Sequence, residues 1–534
     1  MPPPLSAEFR PAHRHVHPLE SSQANGVVGR TARNLAAITA IELPVPPGFA
    51  ITADARGAQR TGLPEALVTQ IRAAVSQLEA RTGKRFGDST DPLLVAVRAD
   101  PIGDAPRVPV ALHVGLPGRP VAPMDQLLAA IDAVWDAERA DVAVIVQAMV
   151  SGSRDARSGS GVVFTRDPAT GSPGAYGRFL AERDGDHWRS NPPGEPLYSL
   201  RHRSPDAFDA LEAALPMIET GFRDMCEVRF TIESGALWIL QARPGRRDAT
   251  AAVRIAVELV DEGLIGIPQA LDRVPAPAVA RLQSPVLATD QALSVLMRGK
   301  PGSLGVGAGR VVLDGSDGAA ADPHDDVVLV CDGPAPMLAD AARRARAIVT
   351  AAPDGTRKLV SGPPAVSVPG LRVDPSRGLA RAPGGRSIAE GDRVTVDGGA
   401  GLVVKGDPKL VAAQLDTTLA RLLDWCDGYP DVTVVTEVPP GHVAIDLGAP
   451  EIRADLAGAV QAAVAGGAGR LALRVPLGGL DQLDPHPPRG PWAAVVAAPE
   501  EAWAARLVAA RLARRLEFPP SNGVRPADPD VAPA

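Results

Sequence analysis

The sequence predicts a multidomain protein of mixed α/β and α+β class. Three observations predict it: short apolar runs of strand length alternate with helical periodicity, glycine-rich loops separate them, and the chain changes character after Pro285. Its 534 residues are enough for several packed cores. Aromatic residues make up only 3%, so those cores must be filled by Ala, Val, Leu and Ile. A net charge of −7 excludes a general attraction to nucleic acid or anionic lipid. Cys226, Cys331 and Cys426 lie far apart, which argues for a reducing compartment and against a disulfide frame or thiolate metal site. No apolar run reaches the length needed to cross a bilayer, and the N-terminus is Pro- and His-rich rather than signal-like. The expected location is the cytoplasm, with no membrane partner.

Residues 1–20 carry five prolines and no periodicity, so they read as a disordered arm in which His13, His15 and His17 are solvated. A loop from Gly26 leads into a helix over 31–40, which the prolines of 44–47 end before a strand resumes. The stretch 64–82 has helical spacing, with Pro64 suited to a first helical position. Residues 93–98 and 142–150 read as buried strands, 151–161 as a Gly/Ser loop, and 162–166 as a returning strand. Alternation on both sides of Ser234-Gly235 predicts a β-hairpin over 227–242. An amphipathic helix over 251–263, closed by Gly263, leads out of the first domain. Beyond Pro285, strands are expected at 310–313, 327–330 and 347–349, a helix at 336–346, and a closing hairpin at 391–404. Helices alternate with short strands such as 432–435 and 471–475 up to about residue 517, and the proline-rich 519–534 reads as a disordered tail.

Four stretches carry a resemblance. They are residues 34–50; Val146-Gln-Ala-Met-Val followed by Ser158-Gly-Ser-Gly-Val-Val-Phe-Thr-Arg-Asp-Pro-Ala-Thr-Gly171; Phe230-Thr-Ile-Glu-Ser-Gly-Ala-Leu-Trp-Ile-Leu-Gln-Ala-Arg243; and 251–265. Together they resemble the pyruvate phosphate dikinase family, with weaker echoes at 302–312, 327–350 and 390–404. The resemblance implies an ATP-grasp-like nucleotide domain at 21–250, a helical linker at 251–285 and a swivelling β/β/α domain at 286–405. A shortened C-terminal α/β region would occupy 406–518, too short for a complete (β/α)8 barrel of about 250 residues.

It also assigns roles. Arg98 matches an arginine that contacts ATP phosphates, a task suited to a planar, permanently charged fork. Gln241 matches a metal-associated glutamine and Arg243 a phosphate-binding arginine. Ser158, Gly159, Ser160 and Gly161 look like part of the loop that closes over nucleotide phosphates, where glycine lets backbone N–H groups approach.

The departures from the family matter equally. Its Gly-Gly-Lys-Gly becomes Gly29-Arg30-Thr31-Ala32, with Thr31 replacing a phosphate-contacting lysine. Within Glu227-Val-Arg-Phe-Thr231, Arg229 stands where the family keeps a metal-binding glutamate. At 4 Å and an effective dielectric near 20 a unit-charge pair is worth roughly 4 kcal/mol, so attraction for magnesium becomes repulsion. Two alternatives remain open: Glu227, on the same strand face, serves the metal with Gln241, or Arg229 neutralises phosphate and supports metal-free binding. The phosphate-carrying histidine is also missing, its position taken by Lys358, with Thr356 two places before it. A lysine near pKa 10.4 is neutral in only about one molecule in 2,500 at pH 7. No catalytic residue is therefore assigned, and His113, His187, His202, His324, His442 and His486 read as ordinary residues. The expected function is an ATP-binding homologue unable to run the full dikinase cycle alone, regulatory or dependent on a protein partner. An active phosphotransferase with altered mechanism or acceptor is the alternative, and a scaffold without a nucleotide site is a third class.

Overall fold

The computed structural model describes residues 14–24, 28–56, 62–101, 110–118, 120–137, 142–184, 194–288, 290–302, 305–313, 326–332, 345–351, 363–429, 431–447, 452, 455–474, 492–497 and 502–514. It is a mixed α/β protein of two compact units, the first ending at Arg246 and the second running from Arg247 together with Ala169–Gly171.

The first unit holds two antiparallel sheets. One is built from β1 (Val16–Pro18), β2 (Gly48–Ile51), β3 (Val95–Pro101), β4 (Val110–Val114) and β5 (Val142–Ala148), in the order β1-β2-β5-β3-β4. The other contains β6 (Gly159–Arg166), β7 (Pro173–Ala181), β8 (Glu195–Pro196), β9 (Cys226–Glu233) and β10 (Ala236–Pro244), in the order β10-β9-β6-β7-β8. Among the described residues the accompanying helices are α1 (Arg30–Ala40), α2 (Glu65–Thr82), α3 (Pro123–Ala137), α4 (Ser199–Arg203) and α5 (Pro205–Phe222).

Alternation within the first sheet sorts two cores. Val95, Val97 and Ala99 of β3 and Val142, Val144 and Val146 of β5 pack with Leu67, Ile71 and Leu78 of α2 and Leu127 and Ile131 of α3. The other face contributes Ala50 and Ile145 to a second core, shared with Leu35 and Ile38 of α1, Leu211 and Leu215 of α5, and the inner faces of β9 and β10.

Residues from 14 onward are not a disordered arm. Val16 is 5% exposed, β1 pairs with β2, and His15 Nδ1 lies 3.1 Å from Thr52 Oγ1. Two apolar side chains, Val16 and Leu19, are buried here and outweigh the proline content around them. His13, the expected helix at 336–346 and the expected tail at 519–534 lie outside the described residues.

The loop expected over 151–161 is corrected at its end, because β6 already begins at Gly159. A Cβ at Gly159 would sit 2.1 Å from Phe179 Cζ, and one at Gly161 2.2 Å from Phe230 Cζ. The two rings lie 6.4 Å apart and nearly parallel, so these glycines make room for a stacked aromatic pair inside the sheet. Gly159→Ala is expected to cost about 1–3 kcal/mol by overpacking, read as a lowered urea midpoint at unchanged slope.

In the second unit, α6 (Ala249–Asp261), α7 (Ile267–Arg273) and α8 (Ala276–Gln283) precede an eight-stranded mixed sheet. A short ribbon, β11 (Val286–Leu287), is followed by β12 (Val295–Arg298), β13 (Lys300–Pro301), β14 (Val306–Leu313), β15 (Val327–Cys331), β16 (Ala347–Thr350) and β17 (Ala365–Ser367). β18 (Arg372–Asp374), β19 (Leu379–Arg381) and β20 (Ser387–Ala389) form a small sheet, and β21 (Arg393–Asp397) and β22 (Leu402–Lys405) complete the large one. Its order is β12-β22-β21-β14-β15-β16-β17-β13, with β14 to β17 parallel. β23 (Leu410–Val411) pairs with β11, so the chain enters and leaves this sheet side by side. The remainder comprises α9 (Thr417–Asp427), β24 (Thr433–Val435), β25 (Val443–Asp446), α10 (Leu456–Ala465), β26 (Leu471–Arg474), β27 (Trp492–Val496) and α11 (Ala502–Ala513). Its four strands are parallel in the order β24-β27-β26-β25, and α11 packs on α8 and α9. No closed barrel is seen among the described residues.

Candidate functional site

Polar residues of the first unit converge because strand alternation turns those of β3 and β5 away from the core under α2 and α3, and those of β9 away from the core that holds Val228 and Phe230. On β3, Arg98 and Asp100 lie on the face opposite Val97 and Ala99. Gln147 of β5 shares that face, its Nε2 donating to Pro46 O at 2.9 Å, and its Oε1 accepts from Arg98 Nη2. Arg98 Nε is inaccessible to solvent and has no acceptor among the described residues. Burial pulls the Arg98 guanidinium down to about 10, Asp100 holds it up, and the charge of Arg229 pushes it further down. Arg98 thus remains charged at neutral pH and has a donor to spare.

Asp100 closes the N-terminus of α1. Its carboxylate accepts the Thr31 and Ala32 N–H groups, each at 2.9 Å, satisfying two donors that the helix cannot satisfy itself. Burial raises its pKa, and those hydrogen bonds oppose the rise. Gly29 is required at the helix entry, since a Cβ there would lie 2.4 Å from the Asp100 carboxyl carbon. Thr31, where the resemblance would place a lysine, offers its backbone N–H to Asp100. Sequence reasoning missed Asp100 and Gln147; the i, i+2 spacing of Arg98 and Asp100 on a strand was the available signal.

On the second sheet a β-bulge does the positioning. Leu237 and Ile239 of β10 face the core with Phe230 and Ile232 of β9. Strict alternation would send Gln241 and Arg243 the same way. The register shifts between Ile239 and Gln241, so Ala242 takes the core position while Gln241 pairs beside Arg229 and Arg243 beside Glu227. Arg243 Nη2 then donates to both Glu227 oxygens at 3.0 Å, and Arg229 Nε lies 3.7 Å from Glu227 Oε1. The structure thus brings together Arg98, Arg229, Gln241, Arg243 and Glu227.

Ser158–Gly161 adjoin this group through the ladder, Ser160 opposite Thr231 and Gly161 opposite Phe230, but both serine hydroxyls are engaged within the protein. Ser158 Oγ donates to Asp155 Oδ1 at 2.8 Å and accepts the Ser234 N–H at 2.9 Å; Ser160 Oγ donates to Arg183 O at 2.7 Å. Hydrogen bonds from Ser234 and Ser158 hold Asp155 below the usual carboxylate range. The loop proper lies just upstream, where Gly152 N–H and Ser153 Oγ donate to Asp184 at 2.6 and 3.0 Å. Ser158 thus latches this loop to the hairpin turn, while Ser160 is engaged by the Arg183 carbonyl.

A divalent cation does not fit the donor set. Magnesium needs oxygen ligands, yet both oxygens of Glu227 bind Arg243, and Arg229 adds a positive charge beside them. Gln241 would supply one neutral oxygen. No group of three or more His, Cys, Asp or Glu residues that could hold a metal occurs among the described residues. Lys358 and Thr356 lie outside the described residues. Among the described residues no helix is long and apolar enough to cross a membrane.

No family model matches the chain. Curated relatives do. Pyruvate, phosphate dikinase of Clostridium symbiosum is 28% identical over 558 residues, covering 81% of this chain and 63% of the relative. The Rhizobium meliloti protein of the same name is 26% identical over 537 residues, covering 78% and 60%. A chloroplastic one from Flaveria pringlei is 30% identical over 334 residues, covering 58% and 35%. The chain thus spans about 60% of the length of the first two. Among solved structures, D-cycloserine synthetase DcsG matches at 15% identity over 45% of this chain and 71% of that one, with a TM-score of 0.25. D-alanine–D-alanine ligase from Bacillus anthracis matches at 9% identity over 47% and 66%, with a TM-score of 0.22. Scores this low carry no structural argument. These long matches support a relationship between this chain and the proteins named pyruvate, phosphate dikinase.

Proposed function

We propose that the first unit binds ATP, as an ATP-grasp-like domain, with Arg98, Arg243 and Gln241 on the phosphate chain. The observation that carries this reading is the grouping of Arg98 with Arg229 and Arg243, reached only through the bulge in β10. Guanidinium groups that repel one another cost free energy unless an anion joins them. A polyphosphate supplies that anion, and guanidinium groups bind its oxygens through paired N–H donors. The relatives are named as dikinases of pyruvate and phosphate, which agrees with a phosphate-handling site.

The reading for the whole chain is an ATP-binding homologue that depends on a partner for complete phosphoryl transfer. It follows from the lysine at position 358 and from the cation-rich site.

Titration calorimetry with ATP tests the binding. Saturable binding is expected, weakened by Arg98→Ala at least about tenfold, equivalent to about 1.4 kcal/mol. Equal affinity of the two proteins would remove Arg98 from the site, and no binding to either would defeat the ATP reading.

A further inference from the structure

We infer that this site takes its triphosphate as the metal-free anion, so that magnesium competes with binding instead of assisting it. The inference rests on the nucleotide reading above and adds the ionic form of the ligand.

Its basis is the charge arrangement. Among the described residues, Arg98, Arg229 and Arg243 face the acidic groups Glu227 and Asp100. Asp100 is committed to the Thr31 and Ala32 N–H groups, and Glu227 to Arg243 through both oxygens. Neither can offer a full carboxylate to a cation without breaking these contacts. The Arg229 guanidinium, 3.7 Å from Glu227 Oε1, already stands as the positive group next to that carboxylate. A free triphosphate, with about four negative charges near neutral pH, meets complementary charge here; its magnesium complex carries about half as much and brings a cation toward three guanidinium groups. Guanidinium also binds phosphate oxygens through paired N–H groups, which provides the orientation otherwise supplied by a metal.

The test compares ATP binding by calorimetry in EDTA and in excess magnesium chloride, at ionic strength matched with sodium chloride because screening alone weakens exposed charges. Binding at least about tenfold tighter in EDTA is expected. Arg229→Glu is expected to reverse the order, binding ATP more tightly with magnesium than without it. Arg229→Gln removes the charge without adding a ligand and should narrow the EDTA preference; its thermal melt shows whether the unit remains folded. Inorganic tripolyphosphate is titrated in parallel. ATP binding that is equal or tighter with magnesium in the wild type overturns the inference and leaves the nucleotide reading standing. Tripolyphosphate binding as tightly as ATP, with the EDTA preference intact, overturns the nucleotide reading and keeps the metal-free site. No binding of either ligand overturns both.

Discussion

Glu219→Ala is expected to lower the unfolding free energy of the first unit by about 3–5 kcal/mol, the range for removing one partner of a buried ion pair. Glu219 sits in the last turn of α5, and Arg166 ends β6 with its side chain 3% exposed. Arg166 Nε and Nη2 donate to Glu219 Oε1 at 2.8 and 2.6 Å, while Thr165 Oγ1 donates to Oε2. Thr165 Oγ1 in turn accepts the Cys226 N–H at 3.0 Å, so one carboxylate ties α5, β6 and the start of β9 together. Alanine would remove one carboxylate from a guanidinium that is 3% exposed. Urea unfolding measures the effect. A loss below about 1 kcal/mol would mean that solvent enters the site, contrary to the described burial. The double variant Arg166→Met with Glu219→Met should recover most of the loss, since paired apolar replacements of buried ion pairs are often near neutral. Recovery would separate desolvation from lost packing.

Arg511→Met is the second large expected effect, at about 2–4 kcal/mol, and it falls on the second unit. Arg511 is 4% exposed on α11 and donates to the carbonyl oxygens that end α7. Nε and Nη2 reach Leu271 O at 2.9 and 2.7 Å, Nη2 reaches Asp272 O at 3.3 Å, and Nη2 also donates to Val274 O. One turn on, Arg514 Nη1 donates to Pro268 O at 2.9 Å and to Asp272 Oδ1 at 2.8 Å. A positive fork at a helix C-terminus satisfies carbonyls that have no partner within the helix and complements its dipole. Methionine fills similar space but leaves those carbonyls desolvated and unbonded, each at a cost of about 1–3 kcal/mol before relaxation. Lysine should recover only part of the loss, because a point charge cannot span three diverging acceptors. Thermal unfolding monitored by circular dichroism distinguishes the variants; an Arg511→Met protein as stable as the wild type would contradict the proposed cap.

Much of the local structure is legible in the sequence. Apolar runs at 93–98 and 142–150 form β3 and β5, helical spacing yields α1 and α2, and Ser234-Gly235 turns the β9–β10 hairpin with both residues at positive φ. Each signal is local: period two or period 3.6 decides which side chains can be buried together, and a turn residue decides where direction reverses. Burial over-rode composition at Val16 and Leu19, where a proline-rich stretch nonetheless carries an edge strand. At Ser158–Gly161, the pattern of a flexible loop and that of a strand accommodating two rings share the same residues, so composition alone could not separate them.

The candidate site divides in the same way. By itself the sequence determined the relationship to the dikinases, the presence of Arg98, Glu227, Arg229, Gln241 and Arg243, and the strands that carry them. Only the tertiary structure decided that a bulge turns Gln241 and Arg243 out of the core, that Arg243 occupies both oxygens of Glu227, and that Asp100 serves the first turn of α1. The physical reason is range. Side-chain periodicity is set by neighbours along the chain, whereas hydrogen bonds between Asp100 and Ala32, or an extra residue accommodated opposite β9, depend on backbone that meets only when the sheets assemble.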